Sequence, residues 1–267
     1  MPDGDASSVQ IAYLGHASLL IELDGLRFLT DPVLGHRLGP LVRHGPQPDV
    51  EAIGAVDAVL VSHAHPDHFH APSIARLRGD PLLVVPAGLG SGARKTGRRV
   101  SALARGEQIR LGQWTIEAVP ARHWRWPMEP HAAAVGYVLD GPARIYFAGD
   151  TAPYRRLPEL VGRVDVALLP VGSWGPHRSP GHLDPRSAAV VAESIGARLA
   201  VPIHWGTFYP PLLDRIWRGP HDEPGPRFAR EAARLAPRTV VSVLRPGASI
   251  EVTVRPGEPV EPAARPR

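Results

Sequence analysis

The stretch VDAVLVSHAHPDH, Val56 to His68, constrains this chain more than any other. VDAVLVS is a continuous apolar run of the kind that forms a strand buried on both faces, and it delivers His63, His65, Asp67 and His68 at its carboxyl end. In open α/β layers that is the end of a strand where ligands bind. His63 and His65 are two positions apart, so in an extended chain both imidazoles project to one side. Asp67 and His68 follow as the chain turns toward a helix, and a turn can aim this second pair at a point a few ångströms from the first. Such an arrangement suits two adjacent metal ions better than one.

Four ligands from one segment leave a two-metal site short, so further His or Asp residues are expected at later strand ends. Three stand there: His123 in VPARHW, Asp150 in YFAGDT and His204 in PIHWGTF, each directly after an apolar run. Cysteine is absent, which excludes disulfides, thiolate ligands, iron–sulfur clusters and cysteine nucleophiles together and leaves imidazole and carboxylate as the metal donors.

Short apolar runs broken by Gly, Pro and Asp dominate the first half. IAYLG, SLLIEL and LRFLTDP read as successive strands with a hairpin turn at Asp24-Gly25. HAPSIARLRG reads as a helix begun by Pro72 and closed by Gly79. The order then continues as strand PLLVVP, hairpin EQIRLGQWTIEAVPA turning at Gly112, strands AAVGYVL, ARIYFAGD and VDVALLP, helix PRSAAVVAESIG, strand RLAVPIH, helix PRFAREAARLA, and strands TVVSVL and ASIEVTV. Both halves run strands first and then alternate helix and strand, which favours two β-sheets packed face to face with helices outside. At 267 residues with 43% hydrophobic and 21% charged residues, one globular domain over residues 9–254 is expected, between an unstructured start (1–8) and an unstructured Pro-rich tail (255–267).

The later elements fit, in order, the motifs of a known family. HAHPDH matches the His-x-His-x-Asp-His signature of the metallo-β-lactamase superfamily. YLGHASLLIELDGLRFLTDP, VDAVLVSHAHPDH, PARHW, YFAGDT, LLPVGSW, HLDPRSAAV and PIHWGTF together resemble its N-acylphosphatidylethanolamine phospholipase D-like and ascorbate-phosphate lactonase-like branch, from residue 11 to about residue 209. The resemblance implies an α/β fold, the four-layer αββα sandwich. It also implies two zinc ions per chain: His63, His65 and His123 on one, Asp67, His68 and His204 on the other, Asp150 bridging. Zinc suits these donors at about 2.0 to 2.2 Å, and a bridging hydroxide between ions about 3.5 to 4 Å apart acts as nucleophile. The implied activity is hydrolysis of a phosphodiester or related ester, with a small-molecule or lipid-like substrate, Asp67 orienting the nucleophile and His182 near the substrate as a proton donor. Pro66, Phe69-His70 and the segment RWPMEPH after His123 depart from the branch and bear on substrate choice.

The same centre admits a lactonase or sugar-phosphate hydrolase, and its donors admit manganese or, for an oxidoreductase, iron. The formal charge of +4 and pI near 9.9 raise a nucleic-acid partner, but Lys95 is the only lysine and the chain holds 31 prolines, so the basic balance reads as compositional bias and the patch ARKTGRR as a solvated loop. No apolar run reaches the length of a bilayer span, and MPDGDASSVQ has no signal-like apolar core; a cytoplasmic location is expected. His36, His44, His131, His177 and His221 read as ordinary surface or capped residues, His70 as a helix-start residue and His16 as a hydrogen-bonding support for the site. Trp124, Trp126, Trp174 and Trp205 flank motif residues, where pocket lining and core packing explain an aromatic equally well.

Overall fold

In the strand Ser7–Gly15, Val9, Ile11 and Tyr13 alternate into the interior while Ser8 and Gln10 face water, the period-two pattern of a sheet covered on one face. The computed structural model describes residues 6–125, 127, 131–173, 181–217, 219–255 and 260–262. Ser7–Gly15 pairs antiparallel with Ser18–Leu23 on one side and Ser249–Val254 on the other. Asp24 and Gly25, at φ of 46° and 81°, turn the chain into Leu26–Thr30, the expected hairpin. Pairing then becomes parallel through Ala58–Leu60, Leu82–Pro86 and Val100–Leu103.

The second sheet repeats the plan. It runs antiparallel from Gln108–Leu111 through Trp114–Pro120 and Val135–Asp140 to Arg144–Phe147, then parallel through Val166–Pro170, Leu199–Ile203 and Val240–Val241. Val166–Pro170 and Leu199–Ile203 are buried at every position, as parallel strands covered on both faces must be.

Between the sheets, Ile11, Tyr13, Ile21, Phe28 and Leu60 from the first meet Trp114, Ile116, Tyr137, Phe147 and Leu168 from the second. Each such side chain contributes about 1.5–3 kcal/mol on burial. Outside the first sheet, Val50, Ile53, Ile74 and Ala93 cover Leu29, Val59 and Leu83. Outside the second, Leu157, Ala188, Ala192, Phe228 and Ala232 cover Tyr146, Ala167 and Leu169. The layers are therefore helix, sheet, sheet, helix, the αββα sandwich. A small third sheet joins Arg37–Leu38, Leu41–Arg43 and Phe208–Tyr209. Among the described residues no helix is long and apolar enough to cross a membrane.

Three expectations change in detail. The helix after the histidine cluster is only Ala71–Ala75, with Ser73 and Ile74 as its buried residues, too narrow an apolar face to sustain a longer one; His70 is its N-cap, as read. The strand over TVVSVL shrinks to Val240–Val241, which has a neighbour on one side only. Order also extends past both expected boundaries. The first strand starts at Ser7, and in the Pro-rich tail Val260 is buried while Glu261–Pro262 pairs with Val252 and Thr253. The edge of Ser249–Val254 offers unpaired backbone groups that a short added strand satisfies. In the basic patch, Arg98 donates to the Leu77 carbonyl at 2.7 Å and Arg99 to Asp80 at 2.9 Å, so both guanidinium groups serve the local fold.

Candidate metal centre

The ends of five strands converge. Asp31 follows Leu26–Thr30, His63 to His68 follow Ala58–Leu60, His123 follows Trp114–Pro120, Asp150 follows Arg144–Phe147, and His204 follows Leu199–Ile203. The structure brings all seven residues named from the strand ends into contact. His63 Nε2 and His123 Nε2 stand 3.0 and 3.1 Å from His65 Nδ1. His68 Nε2 stands 3.2 Å from His204 Nε2, and Asp67 Oδ2 lies 3.6 and 3.7 Å from those two nitrogens. Asp150 Oδ2 sits between the two groups, 3.2 and 3.3 Å from His68 and His204 and 4.0 Å from both His63 and His123. His182 Nε2 adds a contact to the same oxygen at 3.0 Å.

The outer partners decide which nitrogens carry protons. A carbonyl only accepts, so His123 Nδ1–H donates to the Gly181 carbonyl at 2.9 Å and His204 Nδ1–H to the Gly172 carbonyl at 3.2 Å. Asp31 Oδ2 accepts from His68 Nδ1–H at 2.6 Å and from the Ser62 hydroxyl at 2.6 Å. With its proton committed, Ser62 Oγ accepts from His63 Nδ1–H at 2.9 Å. With Nδ1 of His63, His68, His123 and His204 engaged by these outer partners, it is Nε2 of each ring that points inward. His68 Nε2 and His204 Nε2 face each other at 3.2 Å, a contact that needs a proton or a metal ion between the two nitrogens. Asp150 Oδ1 is buried with no hydrogen-bond partner among the described residues, a costly state for a carboxylate oxygen unless a metal takes it.

This donor set fits metal. Ligands on a tetrahedron around zinc at about 2.0–2.1 Å stand about 3.3 Å apart, close to the 3.0 to 3.3 Å found here. Four overlapping groups emerge among the described residues: His63, His65 and His123; His63, His68 and Asp150; His123, Asp150 and His182; and His16, Asp67, His68 and His204.

The electrostatics agree. Burial pulls His16 down to about 3 and His65 to about 4, and takes His63 well below the ordinary imidazole value, so these rings are neutral donors at pH 7. Burial disfavours the charged forms of Asp67 and Asp150, but the facing histidines outweigh it and hold both carboxyls well below their usual range. Burial also opposes a charge on His68, yet Asp150, Asp67 and Asp31 raise it well above the ordinary value. The carboxylates thus draw positive charge to that point.

Sequence reasoning missed Asp31 and Ser62. Asp31 closes a strand in LTDP, and its contact with His68 spans 37 residues, which no local pattern reveals. The only visible signal was an Asp-Pro pair directly after an apolar strand. His16 takes the supporting place expected of it, its Nε2 3.0 Å from Asp67 Oδ2. His16, Asp31 and His204 all have positive φ, at 59°, 31° and 62°, strain of about 1–3 kcal/mol each that the surrounding contacts must hold. Among the described residues His36, His44, His70, His131 and His221 lie in none of the four groups. Trp205 is core, donating Nε1–H to the Pro202 carbonyl at 2.9 Å, whereas Trp124 is 61% exposed beside His123. Trp126, Trp174 and His177 lie outside the described residues.

Comparison with known proteins agrees with this geometry. Residues 26–205 match the family model described as beta-lactamase superfamily domain. A metal-dependent hydrolase of Caldivirga maquilingensis is 30% identical over 252 residues, covering 92% of this chain and 99% of that protein. The N-acyl-phosphatidylethanolamine-hydrolyzing phospholipase D 1 of Caenorhabditis elegans is 30% identical over 246 residues, covering 81% of this chain and 69% of the relative. Among solved structures, the metallo hydrolase Igni18 of Ignicoccus hospitalis superposes with a TM-score of 0.73 at 22% identity, covering 91% of this chain and 98% of that one. The chain belongs to the beta-lactamase superfamily and stands there among the metal-dependent hydrolases.

Proposed function

We propose that the protein is a dinuclear metal hydrolase that cleaves a phosphodiester or related ester of lipid-like character. The observation that carries this reading is the pair of inward-facing nitrogen clusters with one carboxylate oxygen, Asp150 Oδ2, between them. In this reading His63, His65 and His123 would hold one ion and Asp67, His68 and His204 the other, with Asp150 placed to serve both. Imidazole and carboxylate without thiolate suit zinc first, with manganese or iron admitted by the same donors. When bound, such a pair supplies Lewis acidity and a water that ionises near neutral pH.

The chain's own groups do the rest. The side chains of Asp67 and His182 are 12% and 14% exposed, so both can exchange protons with a substrate. His16 Nε2–H holds Asp67 Oδ2 in place, leaving Oδ1 to accept a proton from an attacking water. His182, anchored on Asp150 through Nε2, gives the departing oxygen a proton from Nδ1–H when both ring nitrogens are protonated, and the ring is left neutral. Trp124 offers an apolar face at the mouth for a substrate's hydrocarbon part. The phospholipase relative supports the phosphodiester class.

The test is purification, metal analysis and turnover of a chromogenic phosphodiester beside a lactone panel. Two metals per chain and phosphodiester cleavage that disappears in Asp150→Ala are expected. Unchanged turnover in Asp150→Ala sinks the reading, and lactone cleavage alone moves the substrate class.

A further inference from the structure

Arg43 closes the strand Leu41–Arg43 and is 3% exposed, yet among the described residues the hydrogen bonds of its guanidinium go to carbonyls and not to a carboxylate. Nε donates to Gly35 at 3.0 Å, Nη1 to Leu14 at 2.9 Å, and Nη2 to Val33. The Phe208 ring lies under the guanidinium, 4.8 Å from Cζ to the ring centroid. Burying a cation without a counter-charge is costly; three charge-assisted hydrogen bonds and an aromatic face offset that cost only if their geometry is kept.

Those partners belong to three segments of the chain, and each segment governs one side chain of the same cluster. Leu14 precedes the turn that carries His16, which orients Asp67. Val33 and Gly35 follow Asp31, which orients His68. Phe208 follows His204 itself and pairs with Arg43 across the small sheet. The segments are also laced directly: His16 N–H donates to Thr207 Oγ1 at 2.7 Å and His204 N–H to the His16 carbonyl at 2.7 Å. A Cβ at Gly15 would stand 2.7 Å from Arg43 Nη1 and 2.8 Å from Thr207 Cγ2, so the guanidinium packs against the Gly15 backbone with no room for a side chain there. His65 and His123 hang from other segments, with the Gly181 carbonyl holding His123; His63 shares only the Asp31–Ser62 link.

We infer that Arg43 is a positioning residue that selectively sets the affinity of the Asp67–His68–His204 cluster for its metal, leaving the His63–His65–His123 cluster nearly independent of it. The inference rests on the two-metal reading above.

Calorimetric titration of metal-free protein with zinc tests it, with His204→Ala marking which binding event belongs to the Asp67–His68–His204 cluster. Lysine keeps the charge but cannot reach three carbonyls, so Arg43→Lys is expected to weaken that event about 10–100-fold, the usual effect of disturbing outer-shell partners, with the other constant within about threefold of the parent. Phe208→Leu, which keeps every hydrogen bond, is expected to weaken the same event by a smaller factor, and it carries the test if Arg43→Lys does not fold. Unchanged constants in a folded Arg43→Lys, or equal weakening of both events, overturn the inference, as do unchanged constants in Phe208→Leu when it is the only folded variant. A parent protein that binds fewer than two zinc ions instead overturns the two-metal reading.

Discussion

Asp31→Asn isolates the outer partner of His68 with the least change in shape. Asp31 is fully buried, and its carboxylate accepts three hydrogen bonds: Ser62 N–H on Oδ1 at 2.7 Å, and the Ser62 hydroxyl and His68 Nδ1–H on Oδ2, both at 2.6 Å. An asparagine has one acceptor oxygen and one NH2. If the NH2 replaces Oδ1 it faces Ser62 N–H; if it replaces Oδ2 it faces His68 Nδ1–H. Either orientation sets donor against donor in a dry site, at about 1–3 kcal/mol, and removes a charge-assisted bond worth about 1.5–3 kcal/mol. The sum is about 4 kcal/mol in the metal-free protein. At about 2–4 °C per kcal/mol for chains of this size, the thermal midpoint should fall by about 10 °C. Metal affinity at the Asp67–His68–His204 cluster should fall about 10–100-fold. Urea unfolding in chelator, followed by zinc titration, measures both. A variant within about 0.5 kcal/mol of the parent that binds zinc with the parent's constants would refute the role assigned to Asp31.

Three further outcomes are expected. Asp150→Ala removes the oxygen shared by both clusters, so bound metal falls below two per chain and turnover drops to background, and chelation of the parent should do the same reversibly. The metal-free protein should be most stable near pH 6.5–7. His16, held at about 3, and His65, held at about 4 against an ordinary 6.5, contribute stability that is present above pH 6.5 and lost as pH falls toward 4. His68, raised, contributes stability that is present below pH 6.5 and lost as pH rises through its folded value. Thermal midpoints from pH 4 to 9 check the sign, and a monotonic rise toward pH 9 would contradict it. Trp124→Ala at an exposed position should change stability by less than about 0.5 kcal/mol while raising KM for long-chain esters and sparing a small chromogenic one; equal KM changes for both would remove Trp124 from substrate contact.

Much of this protein was legible without coordinates because several of its strands either alternate or are apolar throughout. Ser7–Gly15 alternates into the core, Val166–Pro170 and Leu199–Ile203 do not, and the contrast separates antiparallel meander from buried parallel strand. Where the apolar pattern is short, reading failed: the helix Ala71–Ala75 stops because its buried face is narrow, while the edge strand Val240–Val241 and the tail pair Glu261–Pro262 owe their limits to neighbours.

The site divides in the same way. The clustering of His63, His65, Asp67, His68, His123, Asp150 and His204 was readable because each is a polar residue standing where an apolar run stops. Asp31, Ser62, the Gly172 and Gly181 carbonyls and Arg43 were not, because each acts through a partner distant in the chain and carries no local pattern. The order of residues determined two twisted sheets and the donors at their ends. Only the packing of those sheets decided which loops meet, which imidazole nitrogens point inward and which hydrogen bonds hold them there, since hydrogen-bond direction and tautomer depend on groups brought together in space and not in sequence.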